Sequence, residues 1–111
     1  MKIADMKETI TFERTDGNDE WEPFLKTHAY INAVSGNEFF IANAGNEGSL
    51  VVTVTCRFQL KLMRVTPMQY RIRCGDILYE LISPGDDVKM KHRFVKFRAR
   101  RIYTEQDGEI I

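Results

Sequence analysis

The side chains best suited to catalysis or metal binding are few in this sequence, and they follow no recognisable catalytic or metal-binding pattern. The two histidines are His28, within a strand-like run, and His92, within a basic run. We expect both to be partly or fully solvated rather than functional. The chain has no H-E-x-x-H, C-x-x-C or G-x-S-x-G motif and no phosphate-binding glycine loop. We therefore predict that it is not an enzyme and has no catalytic residues, metal or cofactor.

The cysteines and the hydropathy pattern point to a reducing, aqueous environment. Cys56 and Cys74 both fall within strand-like runs, and residues 1–5 contain no apolar secretion signal. We predict two reduced, buried, structural thiols rather than a disulfide. Because no apolar run approaches the roughly 18 residues of a membrane helix, we expect no membrane partner.

A basic run with interleaved aromatic residues, at 89–101, is the candidate for nucleic-acid contact. Apolar and basic positions alternate in its second half, which is typical of a strand with one buried face. That alternation assigns Phe97 to the core and leaves Phe94 as the stacking candidate. The basic contact face would consist of Lys96, Arg98 and Arg100. A solvated strand face explains the same pattern, and the net charge of zero weighs against a dedicated nucleic-acid binder.

The balanced net charge hides an asymmetry along the chain. Residues 1–48 hold nine acids and four bases, whereas residues 49–111 hold seven acids and twelve bases. The first part therefore carries about −5 and the second about +5. Either the two parts neutralise each other within one fold, or they give the subunit an acidic and a basic face suited to head-to-tail contact between copies.

The clearest structural signal is a β-hairpin over residues 69–85. Tyr70 and Ile72 alternate with Arg71 and Arg73, and Gly75 can adopt the positive φ that a tight reversal needs. The loop residues are either 74 and 75 or 75 and 76. In both registers the apolar side chains of the two strands share a face, and one arginine faces an acid across the hairpin. The turn-forming residues 83–87 then end the second strand.

Four further runs alternate or are rich in β-branched residues: 8–14, 24–34, 50–58 and 88–103. We expect Glu13 to point outward from the first run. In the third run we expect alternate positions from residue 50 to line the core, with Val51 and Thr55 on the outer face. The 111 residues suffice for one domain, 1–111. The pattern predicts an all-β, mainly antiparallel fold: a small β-barrel or sandwich of about six or seven strands, with one short helix and a projecting loop.

The segment 35–49 is predicted to project from this fold. Residues 38–44 could form one or two helical turns, capped by Asn37 or Ser35. The polar, glycine-containing residues that follow lack apolar neighbours that could anchor them to a core.

Several short motifs, taken in order, resemble the head–tail joining, or head-closure, proteins of tailed bacteriophages and prophages. Each motif alone is weak, and the resemblance rests on their order and spacing over residues 7–83. It runs through an opening strand, an Asp-Gly turn followed by Trp, an alanine-bearing strand, a Ser-Gly-x-Glu element, a β-rich strand ending in Arg, and an Arg-Ile…Gly…Tyr hairpin. Here these are residues 10–14, Asp16-Gly17 with Trp21, residues 29–34, residues 35–38 with Ala42, residues 51–57, and Arg71-Ile72 with Gly75 and Tyr79.

The resemblance implies a virion protein at the head–tail interface, present in the host cytoplasm during assembly. Its partners would be copies of itself, in a ring expected to be a dodecamer in the virion while the free protein is a monomer, together with the portal adaptor, the tail completion protein and the packaged DNA. The loop would project into the ring and gate the channel. The gating residues would be Gly36, Glu38, Asn43, Gly45, Asn46, Glu47 and Gly48. The alternative is a small nucleic-acid-binding barrel that uses residues 89–101.

Overall fold

The computed structural model describes residues 6–33 and 51–102, which form seven β-strands and two short 3₁₀ segments, at Leu60–Arg64 and Val88–Met90. No helix in these two ranges is long and apolar enough to span a membrane. The predicted helix at 38–44 and the predicted loop at 35–49 lie outside the described residues. The strands are β1 (Glu8–Thr15), β2 (Trp21–Ala33), β3 (Val51–Arg57), β4 (Tyr70–Cys74), β5 (Ile77–Leu81), β6 (Asp86–Asp87) and β7 (Phe94–Ile102).

The strands form one antiparallel sheet that closes on itself. Its order is β3-β2-β1-β4-β5-β7-β6, and β3 also pairs with β7 along seven positions, from Val51↔Arg100 to Arg57↔Phe94. Closure satisfies the backbone groups that open sheet edges would expose. The result is a six-stranded barrel with β6 as a short addition beside β7, which confirms the predicted all-β, antiparallel class.

The inward-facing side chains of all six long strands meet in one core. Phe12 on β1 and Phe97 on β7 are fully buried, and their ring centres lie 5.1 Å apart across the interior. Each such side chain contributes about 1.5–3 kcal/mol by leaving water. The predicted inward positions of the hairpin and the last strand are confirmed by the buried residues Tyr70, Ile72, Tyr79, Leu81, Val95, Phe97 and Ala99.

The β4–β5 hairpin adopts the second of the two predicted registers. Cys74 pairs with Ile77, so the loop residues are Gly75 and Asp76. Only Gly75 of this pair has a positive φ, 61°, which is the arrangement of a type II′ turn with glycine first. Arg71 faces Glu80 across the hairpin, as predicted.

The strand β2 begins three residues earlier than predicted, at Trp21, and contains a proline. Its pairing with β1 shifts between Phe12 and Glu13, so that Phe12 faces Leu25 while Glu13 faces Pro23. This bulge leaves Phe24 without a direct partner on β1. Among the described strands, β3 pairs with β2 only from Ala29 onward. Pro23 therefore lies outside the β2–β3 pairing, where its lack of a backbone N–H costs no hydrogen bond to β3.

The prediction that the last strand begins at residue 88 is wrong. β7 starts at Phe94, not at residue 88. Lys89, Met90 and His92 have φ values of 56°, 54° and 53°, in the left-handed region that cannot continue a strand. Residues 88–93 therefore form a compact loop, called here the basic loop.

Three positions predicted to point into solvent are buried. Thr55 lies between Tyr30 of β2 and Lys96 of β7, whose long side chains can cover a small central residue. Val51, which faces Arg100, is fully buried, and Glu13 is covered by two arginines described below. Cys74 is only half-buried, contrary to prediction, because it lies next to the hairpin turn.

The antiparallel register gives the barrel two distinct ends. One end, called here the loop end, carries the Gly75 turn and the points where β2 ends and β3 begins, since Ala33 pairs with Val52. The opposite end, called the turn end, carries the β1–β2 turn at 16–20, the 58–69 connection and the basic loop.

Candidate interaction surfaces

The cysteines are placed for packing rather than for reactivity. Cys56 is fully buried, and burial raises the pKa of its thiol to about 12. Burial, followed by the Glu8 carboxylate 3.9 Å from the sulfur, also raises the pKa of the Cys74 thiol. Both are free thiols. Residues 6–33 and 51–102 bring together no group of three His, Cys, Asp or Glu side chains that could hold a metal ion.

The histidines occupy two different settings. His28 is exposed on β2, as predicted. His92 is also exposed, but its ring stacks on Phe58 with centroids 4.7 Å apart, and its Nε2 lies 3.1 Å from Asp87 Oδ2. The His92 backbone N–H donates to Asp87 Oδ1 at 2.9 Å. These contacts fix the basic loop against the start of the 58–69 connection.

The predicted basic face lies on the outside of β7, and acidic side chains accompany it. Lys96, Arg98 and Arg100 alternate with the buried Val95, Phe97 and Ala99, as the sequence indicated. Lys96 pairs in register with Asp86 of β6, and Arg100 Nη1 donates to Glu80 Oε1 at 3.3 Å. Both acids reduce the positive potential of this face.

The aromatic residues of the basic run separate as the alternation predicted. Phe97 is fully buried and cannot stack on a base. Phe94 is half-buried, with the Arg93 guanidinium carbon 5.8 Å from its ring centre. Of these two rings, only Phe94 is accessible to a ligand.

A charge cluster that the sequence analysis missed spans β1 and β4. Arg71 Nε donates to Glu13 Oε1 at 2.7 Å, and Arg73 Nε donates to Glu13 Oε2 at 3.0 Å. The Arg71 guanidinium carbon also lies 4.3 Å from the Trp21 ring centre. Burial alone raises the pKa of the Glu13 carboxyl, but the hydrogen bonds and charges of the two arginines hold that pKa below its ordinary value. Only the β1–β4 pairing, which joins Glu13 to Arg71, could have revealed this cluster.

The turn end presents two further surfaces of opposite charge. The basic loop exposes Lys89, Lys91 and Arg93 around Met90, whose surface is 86% exposed. The opposite surface, called here the acidic turn, combines the β1–β2 turn with the start of β2 and carries Asp16, Asp19, Glu20 and Glu22. A cavity of about 240 Å³ opens beside this turn, lined by Arg14, Thr15, Asp16, Glu20, Glu22, Pro23 and Phe24.

The described surface of the closed barrel thus combines charged clusters with exposed apolar side chains such as Met90 and Leu60. The sequence matches the family of phage head completion proteins over residues 1–102, and the chain belongs to that family. It is thus a structural virion protein of the phage head, as the motif resemblance predicted.

The fold has a counterpart among solved structures. A chain in the virion of a native gene transfer agent particle aligns with a TM-score of 0.61 and 17% sequence identity, covering 88% of this chain and 96% of that one. At this identity the likeness concerns the fold. No curated protein matches the sequence.

Proposed function

We propose that the protein joins the portal and its adaptor to the tail and closes the DNA channel after genome packaging. It would do so as a ring of copies, expected to be a dodecamer, with segment 35–49 of each copy in the lumen. The observation that carries this proposal is the match to phage head completion proteins along residues 1–102. A filled head keeps its DNA only if the channel is closed, and a ring on the portal offers the tail a docking face.

The position of the gating segment in the chain supports its proposed role. It connects β2 to β3 at the loop end, where Ala33 and Val52 are paired. The connection between paired neighbouring strands usually takes about 2–5 residues, and much longer ones are commonly functional. In this chain the connection between β2 and β3 runs from the end of β2 at Ala33 to the start of β3 at Val51, which is much longer. The closed barrel gives this connection a rigid base.

The residue types of that segment suit a steric and electrostatic gate. Glu38 and Glu47 would repel the phosphates of DNA, while Asn43 and Asn46 would hydrogen-bond between neighbouring copies. Gly45 and Gly48 would let the gate rearrange when the tail attaches, because glycine backbone adopts new conformations at little cost. The same ring would bind the portal adaptor on one side and the tail completion protein on the other.

Electron microscopy of DNA-filled, tail-less heads of the parent phage, with and without added protein, tests the proposal. We expect an added ring at the portal vertex and DNA that stays protected from nuclease. Gly45→Pro with Gly48→Pro should impair closure or release, whereas Asn18→Ala, at the opposite end of the barrel, should not. Unchanged leakage and no added density would contradict the connector role, and normal DNA retention and ejection with the proline variant would contradict the loop gate.

The alternative function is nucleic-acid binding by the basic face of β7. The observation that favours it is that Lys96 of this face is exposed and could contact a phosphate. Measurement of DNA binding by the free protein across a salt series separates the two functions. Affinity that falls steeply with salt, and is lost when Lys96, Arg98 and Arg100 are neutralised, would support the alternative. We expect weak binding that these substitutions hardly change.

A further inference from the structure

The basic loop is an exposed surface whose apolar part has no cover among the described residues. Met90 is 86% exposed, and Leu60, two residues after the Phe58 that stacks on His92, is 73% exposed. Lys89, Lys91 and Arg93 surround the methionine in sequence, and all are exposed. Methionine and arginine are both enriched in protein interfaces, whereas a phosphate backbone makes no apolar contact with an aliphatic side chain.

The loop is also held in a costly conformation. Three of its residues that are not glycine, Lys89, Met90 and His92, have positive φ. Residues other than glycine adopt this region only at a cost in free energy, and such conformations tend to cluster at binding sites. The Phe58–His92 stacking and the His92–Asp87 contacts hold the loop in this shape. Because the loop is already ordered, binding through Met90 and the lysines costs less conformational entropy.

The complementary surface of the same molecule is the acidic turn. Glu20 and Glu22 are exposed there and border the 240 Å³ cavity, whose lining also includes Phe24. A cavity with acidic walls and an aromatic side chain can accept a lysine or arginine together with its aliphatic stem. The described residues of this turn carry four acids against Arg14, which is the opposite balance to the basic loop.

The barrel places these two surfaces at the same end but on opposite walls. In the closed ring of strands, β1 and β7 are separated by β4 and β5 on one side and by β2 and β3 on the other. Phe12 and Phe97 accordingly meet across the core. Complementary surfaces on opposite walls suit a head-to-tail contact between copies, and such contacts close into rings when the rotation allows. Because the basic loop and the acidic turn lie at the same end of the barrel, neighbouring copies can contact each other at the same height, with no offset along the barrel axis.

The geometry points to one specific contact: the basic loop of one copy binds the acidic turn of the next, with Lys89 or Lys91 entering the acidic cavity and Met90 packing beside it. This inference rests on the proposed ring and specifies its subunit interface. DNA is the competing occupant of the basic loop, and the experiment distinguishes it.

Charge-reversed variants test the contact with an internal rescue. The turn-reversed variant is Glu20→Lys with Glu22→Lys, and the loop-reversed variant is Lys89→Glu with Lys91→Glu. Lysine and glutamate both carry a Cβ, so the strain at residue 89 stays the same. The matched control, Lys7→Glu with Lys26→Glu, changes the net charge as much as loop reversal does but alters exposed residues outside both surfaces. All are added to DNA-filled, tail-less heads, and ring density and nuclease protection are measured.

We expect each reversed variant alone to need at least about tenfold more protein for the same occupancy, because like charges then face each other at every contact. An equal mixture of the two variants should restore the ring, since each reversed turn then meets a reversed loop. The control should behave as the unmodified protein does. As a second measurement, Glu20→Cys and Lys91→Cys on separate copies should form an intermolecular disulfide in concentrated solution when copper–phenanthroline is added as the oxidant, and this disulfide should decrease with added salt.

Three results would overturn the contact. If both reversed variants form rings and protect DNA normally, the interface is elsewhere and the ring proposal survives. If the unmodified protein forms no ring on heads and the cysteine pair forms no disulfide, the ring and the contact both fail. If loop reversal abolishes function without rescue by the mixture, and also abolishes salt-sensitive DNA binding, the basic loop binds DNA instead.

Discussion

Glu13→Gln is the substitution that most directly tests the electrostatics of the barrel. The Glu13 side chain is 10% exposed and accepts hydrogen bonds from Arg71 at 2.7 Å and from Arg73 at 3.0 Å. Glutamine has nearly the same shape but no charge, and its amide oxygen can accept from only one of the two arginines well. The exchange therefore removes the charge and leaves the packing of β1 against β4 intact.

The two arginines should contribute unequally to the loss. The Arg71 side chain is 18% exposed, and a hydrogen bond between charged partners that are largely buried contributes about 1.5–3 kcal/mol. Arg73 is 41% exposed, so solvent screening leaves its pair about 0.2–1 kcal/mol. Since glutamine keeps one hydrogen bond, we expect the free energy of unfolding at pH 7 to fall by about 2 kcal/mol.

The pH dependence gives a second, independent test of the same cluster. The pKa of Glu13 is lower in the folded protein than its ordinary value of 4.5. The unfolded state therefore binds the proton more readily, and the stabilisation is present above pH 4.5 and disappears as the pH falls through the folded pKa. Below that pH, protonated Glu13 resembles glutamine, and the difference between the two proteins should vanish.

Urea unfolding of both proteins from pH 7 to pH 2.5 measures this difference directly. Glu80→Gln is the control, because Glu80 is 51% exposed and lies 3.3 Å from Arg100, so its loss should cost less than about 1 kcal/mol. Equal stability of Glu13→Gln and the unmodified protein at pH 7, or a difference that persists unchanged at pH 2.5, would refute the reasoning.

Three further predictions concern packing and thiol chemistry. A Cβ at Gly85 would lie 2.9 Å from the ring carbon Cζ of Phe97. Gly85→Ala should therefore lower the free energy of unfolding, measured by urea titration, by about 1–3 kcal/mol. An unchanged value would mean that the Phe97 ring moves aside without cost. Phe97→Ala should cost about 3–5 kcal/mol and Phe94→Ala clearly less, and similar losses by calorimetry would contradict the assignment of Phe97 alone to the core. At pH 8 in native buffer a thiol reagent should label Cys74 before Cys56, with both labelled rapidly in urea. Comparable native rates would contradict the deeper burial of Cys56, which raises the pKa of its thiol to about 12.

Local patterns predicted most of the strands because alternation is a property of adjacent residues. The hairpin at 70–81, the inward Phe97 and the outward Lys96 all follow from a period of two. The start of β7 was wrong because positive φ at Lys89 and Met90 carries no sequence signal when the residues are not glycine. The gating residues proposed from the motif resemblance lie outside the described residues and stay a prediction.

The sequence by itself determined the all-β class, the core-facing residues of the hairpin and of the last strand, and the family, because these depend on local periodicity and on the order of short motifs. Only the tertiary structure decided which charges meet. Glu13 contacts arginines 58 and 60 residues away, and the antiparallel pairings from β1 through β4 and β5 to β7 bring the acidic turn and the basic loop to one end of the barrel. Such contacts depend on register between distant strands, and many registers satisfy the same alternation until the closed core selects one.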